Sequence, residues 1–181
     1  TKFIPVKEGT RFNIGNYSLI AIATPGHAPG HMCLYDKEGK ILFCGDHIIF
    51  DITPNITSWE GVQNSLGLYI ESLKKIRKLD IKATLSAHRS STGNCYDRIE
   101  QLINHHKIRL AETYQIVKAF PGSNIYEIAS KMKWSIKANN WTDFPINQKW
   151  FAVGEASSHL EYLFCKGFVK RELKDGVLIY R

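Results

Sequence analysis

Three short runs hold the side chains that can do chemistry. Thr24-Pro25-Gly26-His27-Ala28-Pro29-Gly30-His31 carries two imidazoles, Phe43-Cys44-Gly45-Asp46-His47 a carboxylate and a third imidazole, and Leu85-Ser86-Ala87-His88-Arg89 a fourth. Proline fixes φ and removes a backbone donor, so the first run is a tight loop and not a helix. Each run follows an apolar segment of strand type, which places its donors at a strand end. Imidazole and carboxylate at three strand ends are what a cation on the rim of a sheet requires, and together they suit Zn, Fe or Mn.

The elements that must position these donors are legible from spacing. Phe12-Asn13-Ile14 and Leu19 to Ile22 flank Gly15-Asn16, a two-residue hairpin signal. Met32 to Tyr35 and Ile41 to Cys44 form a second hairpin around residues 36–40. Leu66, Tyr69, Ile70, Leu73 and Ile76 recur at three and four, predicting a helix over 62–79, and Ile81 to Ala87 reads as a buried strand. Past residue 98 the character changes. A long helix is expected over Ile99–Phe120, a second one capped by Asn124 and Glu127, and a third marked by Trp150, Val153, Ala156, Leu160 and Leu163. Strands at 168–173 and 177–180 meet at Asp175-Gly176. Three helices and a hairpin follow the winged-helix order. The expected division is 1–98 and 99–181.

Composition narrows the class. At 44% hydrophobic and 23% charged, the 181 residues are globular and not disordered. The surplus of 24 basic over 17 acidic groups is spread evenly, 12 against 9 before residue 99 and 12 against 8 after it, so no basic arm marks a nucleic-acid or membrane partner. No apolar run approaches the ~20 residues of a membrane span. Four scattered cysteines with no CxxC pair argue for a reduced, cytoplasmic protein. The sequence opens Thr1-Lys2-Phe3 without Met, which reads as a fragment.

The TPGHxPGH run, the Gly-Asp after an apolar strand and the Ala-His after a later strand resemble the third, fourth and fifth motifs of the metallo-β-lactamase superfamily. His106-Lys107-Ile108-Arg109 and Gln148 to Ala156 resemble the C-terminal winged-helix module of one branch of it. The resemblance implies an α/β fold: the second half of an αββα sandwich followed by a small winged-helix module. It implies His31 as a terminal metal ligand, Asp46 as the carboxylate bridging two ions, and His88 as a ligand of the second. It implies one or two Zn, Fe or Mn ions, and a metal-bound hydroxide attacking an ester, thioester, lactam, lactone or phosphodiester.

The superfamily's HxHxDH run is absent, and no His-x-His occurs anywhere in the chain. Each ion would keep two protein donors, where a zinc site takes three plus water or four. The expectation is therefore a C-terminal portion of a hydrolase, with weak or no metal binding and no activity of its own.

His27 matches no ligand of the pattern, and a supporting hydrogen-bond role is expected for it and for His47. His105, His106 and His159 read as capping or surface groups. Buried, inert thiols are expected at Cys33 and Cys44, with thiolate ligation as the other reading. Trp134, Trp141, Trp150, Phe144 and Phe151 read as core of the small module, and the loops 51–61 and 137–147 as specificity loops. Two other functions stay open. The module could contact RNA or DNA weakly, although Glu155 and Glu161 on its third helix would repel phosphate. The chain could also be a non-catalytic interaction domain. Half a sandwich leaves apolar strands bare, so self-association is expected.

Overall fold

A computed structural model describes residues 3–88, 91–136, 138 and 140–181. Arg89 of the third run, and positions 137 and 139 of the loop 137–147, lie outside the described residues. The chain forms two compact units, Thr1–Pro54 with Gly67–Ile103, and Asn55–Leu66 with Asn104–Arg181.

The first unit is built on a five-stranded sheet, β1 (Arg11–Ile14), β2 (Tyr17–Ala23), β3 (Met32–Asp36), β4 (Ile41–Gly45) and β5 (Ala83–Ser86), in sequential order. Ile14 pairs with Tyr17, so Gly15-Asn16 is the turn that the sequence signals. β1 to β4 are antiparallel, whereas β5 runs parallel to β4. A parallel pair needs a long crossover, and this one carries α1 (Ser65–Ile76). Tyr69, Ile70, Leu73 and Ile76 are all buried, the stripe that their spacing predicts. Full burial of such a side chain contributes about 1.5–3 kcal/mol before the entropy of ordering it. Tyr35 fixes the return to β5, its hydroxyl donating to the Asp80 carbonyl at 2.7 Å.

α2 (Cys95–Ala119) starts earlier than the apolar pattern suggests. Asn94 is the reason: its side-chain oxygen accepts from the N–H groups of Tyr96 and Asp97 at 2.8 and 3.1 Å, and caps the first turn.

The second unit contains the later part of α2, then β6 (Ser123–Asn124), α3 (Ile125–Lys131), α4 (Ile146–Cys165), β7 (Arg171–Lys174) and β8 (Val177–Tyr180). Its sheet has the order β6-β8-β7. Asn124 and Glu127 form the expected capping box, each side chain bonding the other's N–H. Ile128, Ala129, Ala156, Leu160 and Tyr180 belong to its buried core, with Trp134 and Trp141 packed against it.

Two expectations fail here. Trp150 and Phe151 are exposed at the start of α4 and are not core. His106 and His159 are buried and not surface groups. The His106 Nδ1–H faces His159 Nε2 at 3.2 Å, and the His159 Nδ1–H donates to the Glu155 carbonyl at 2.7 Å. Burial, above all, holds His106 down to about 2 and His159 to about 4. Among the described residues no helix is long and apolar enough to cross a membrane.

Candidate metal centre

His31, Asp46, His88 and His27 meet at one end of the first unit's sheet. The loop after β2 closes on itself: the Thr24 N–H donates to the His31 carbonyl at 2.9 Å, and the His31 N–H to the Ala28 carbonyl at 3.2 Å. Gly26 seats this loop against α1. A Cβ there would lie 2.4 to 2.7 Å from the Tyr69 backbone and Cβ, which only glycine avoids. The Ser72 hydroxyl of α1 donates to the Pro25 carbonyl at 2.9 Å and holds the same loop.

Thr24 fixes the chemistry of His31. Its Oγ1 lies 2.7 Å from His31 Nδ1, while the Asp46 backbone N–H points at His31 Nε2 across 3.3 Å. The network therefore assigns the proton to Nδ1 and leaves a lone pair on Nε2. The close approach of residue 45 to Nε2 is possible because it is glycine. It sits at φ +52, and a Cβ on it would come 2.7 Å from His31 Nε2. Burial lowers the His31 pKa, His27 adds to the effect and Asp46 opposes it. The ring is thus kept neutral, the form that binds a cation.

Asp46 lies between two imidazoles. Its Oδ1 is 3.1 Å from His88 Nε2, and its Oδ2 is 3.6 Å from His27 Nε2. The structure thus brings His27, Asp46 and His88 together through the carboxylate, and His31 reaches Asp46 through its backbone. Among the described residues no three His, Cys, Asp or Glu side chains converge closely enough to hold an ion by themselves.

His47 lies beneath. Its ring packs edge-on against Tyr69 with centroids 5.2 Å apart, and its carbonyl accepts from the Tyr69 hydroxyl at 2.9 Å. Burial first, and His31 second, push its pKa down to about 3, with the Ser72 backbone pulling weakly the other way. Cys44 is buried and its thiol donates to the Ile48 carbonyl at 3.1 Å; burial raises its pKa to about 12. Thr24, Ser72 and Tyr69 are supporting residues that the sequence does not announce. Thr24 opens the first run but carries no signal of its bond to His31, and Ser72 and Tyr69 sit on a helix remote in sequence.

The donor set fits a metal in type. Neutral imidazole and carboxylate suit Zn, Fe or Mn, and His31 Nε2, which accepts from the Asp46 N–H, would exchange that bond for one to an ion. In number it is incomplete, with two protein donors for an ion where three or four are usual.

Residues 3–88 match the family model described as metallo-beta-lactamase superfamily. The lactamase-like protein nscB of Neosartorya fischeri is 24% identical over 191 residues, a match covering 82% of this chain and 55% of that protein. A beta-lactamase domain protein from Burkholderia ambifaria superposes with a TM-score of 0.86 at 29% identity, over 99% of this chain and 52% of that one. A metallo-beta-lactamase family protein from Thermus thermophilus gives 0.83 at 25% identity, over 100% of this chain and 55% of that one. The chain spans about half the length, or less, of such relatives.

Proposed function

This chain belongs to the metallo-beta-lactamase superfamily, and we propose that it serves a metal-dependent hydrolase. His31, Asp46 and His88 would hold the cation, with the remaining donors supplied from outside these 181 residues. When bound, a Zn, Fe or Mn ion would polarise a carbonyl or phosphoryl oxygen and lower the pKa of water.

The chain's own residues prepare that site. With the Asp46 N–H facing Nε2, the His31 proton sits on Nδ1, where the Thr24 hydroxyl accepts it. Glycine at 45 lets the backbone lie close to Nε2. His27 and His88 flank the Asp46 carboxylate and hold it in one orientation. His47 stays neutral under the loop and adds no charge to compete with a cation. The substrate class is an ester, thioester, lactam, lactone or phosphodiester, since one electrophile-plus-water chemistry serves all of them. A second, winged-helix-like domain follows the lactamase-like one.

The observation that carries this reading is the Asp46 carboxylate set between His88 and His27, with His31 held beside it through Nε2 and the Asp46 N–H. The test is metal analysis of this chain and of a longer protein carrying an HxHxDH run ahead of it. The longer protein is expected to retain one or two equivalents of metal and to hydrolyse an activated ester. The 181-residue chain is expected to retain far less. H31A or D46A in the longer protein should remove most of the metal. A longer protein that binds none would refute the assignment.

A further inference from the structure

The helix that would read a duplex in a winged helix is the third one, through its outer face. In this chain that helix is α4, and one stripe of it is already occupied by the protein's own segment Asn55–Ser58. Phe151, Gly154, Ser158 and Glu161 recur at three and four and share a helix face. The Asn55 side-chain amide donates to the Phe151 carbonyl at 3.3 Å. The Ser158 hydroxyl, fully buried, donates to the Ile56 carbonyl at 2.6 Å. Ser58 Oγ lies 3.0 Å from Ser157 Oγ and donates to Glu161 Oε2 at 3.3 Å. At Gly154 the approach is closest: a Cβ there would stand 2.6 Å from Thr57 Oγ1 and 3.2 Å from Thr57 Cβ. Ile56 itself is fully buried.

We infer that the C-terminal module is an intramolecular clamp: α4 grips Asn55–Ser58 instead of reading nucleic acid. The acidic groups on α4 agree with this. Glu161 holds Ser58, and Glu155 is bound by Arg109, whose Nε donates to it at 2.9 Å. Both are consumed inside the module. Gly154 and Ser158 are then positioning residues. They hold the backbone of residues 55–58 within the second unit, and this grip does not rest on the hydrolase reading.

Hydrogen exchange read by mass spectrometry on the whole 181-residue chain tests the clamp without metal or turnover. In Gly154→Ala, exchange in peptides covering 55–62 should rise about tenfold, the scale of one or two lost local contacts, with peptides of β2 to β4 unchanged. Adding Thr57→Ala removes the oxygen that the new Cβ meets and should restore protection. Ser158→Ala, which keeps the helix and deletes one bond, should raise exchange in the same peptides alone. Unchanged protection at 55–62 in both single variants would overturn the clamp.

Discussion

His31 depends on Thr24 more than its exposure suggests. The Asp46 N–H facing Nε2 assigns the proton to Nδ1, and the Thr24 hydroxyl 2.7 Å away is its acceptor. Outer partners of this kind typically change metal affinity about 10- to 100-fold when removed. Replacement of Thr24 by Val deletes the acceptor at nearly constant shape, at a position that is itself fully buried. The expected result is a redistribution of the His31 proton between Nδ1 and Nε2, read from the imidazole 15N shifts of the metal-free chain. A His31 spectrum identical to wild type would show that Thr24 does not hold that proton. The three runs themselves are legible in the sequence because Pro, Gly and His at fixed spacing leave few backbone choices. Thr24's bond is not, because nothing local distinguishes a threonine facing an imidazole from one facing water. Gly45 lies between these cases. The Gly-Asp pair is visible as a pattern, but its physical reason, the clash of a Cβ with His31 Nε2, needs the loop and the strand brought together.

At the scale of elements, local signals read true and long-range ones do not. Gly15-Asn16, Asp175-Gly176 and the Asn124–Glu127 box each specify backbone geometry within a few residues, and each forms as its sequence requires. The two-residue strand β6 leaves no trace in the sequence because it exists only through its pairing with β8. The buried His106–His159 pair reads as surface in sequence for the same reason: polar residues on two helices far apart along the chain give no sign of facing each other. Their burial has a pH consequence. An imidazole exposed by unfolding titrates near 6.5, whereas the folded pair resists protonation until about 4 or below. The Arg109 cation and His105 disfavour a further positive charge at the pair, while Glu155 favours one at His159. Stability is therefore full above the unfolded value and falls as pH drops toward the folded ones, by up to about 1.4 kcal/mol per proton per pH unit. All four tryptophans, Trp59, Trp134, Trp141 and Trp150, lie in the second unit, so their fluorescence reports on that unit alone. Its urea midpoint should drop between pH 7.5 and pH 5.0, and the drop should shrink in H106Q/H159Q. Equal midpoints at both pH values would mean that the pair is solvated.

At the scale of the whole molecule, the first unit's sheet exposes apolar side chains on one side, at Ile14, Phe43 and Leu85, while Leu19 and Ala21 on that side are buried. Strand register aligns Ala21, Leu34, Phe43 and Leu85 in one row across β2 to β5, with Phe12 and Ile14 on the same side of β1. Phe43, Leu85 and Ile14 are 37%, 44% and 60% exposed, whereas Tyr35 and Leu42 in the neighbouring row are buried. Apolar residues on both sides of a strand mark a sheet covered on both faces, and the cover on this side is partial. We propose a second copy as the occupant for the isolated chain, since this row carries no charge and two copies of it do not repel. Its size bounds the affinity. Five strands at about 4.8 Å spacing and about 17 Å length present roughly 400 Å² in projection, below the roughly 800 Å² per partner of a stable interface. Association should accordingly be reversible and concentration-dependent. The net charge of +7 on each copy opposes it, so added salt should strengthen it by screening, opposite to a contact held by ion pairs. Light scattering at about 0.1 mM in low and high salt should give a mass rising above 20.7 kDa, and Phe43→Glu should return it to the monomer. In a longer protein the additional chain would compete for the same face, so that protein should stay monomeric at the same concentration. A strictly monomeric 181-residue chain under both salt conditions would show that the open row is not a binding surface for its own kind.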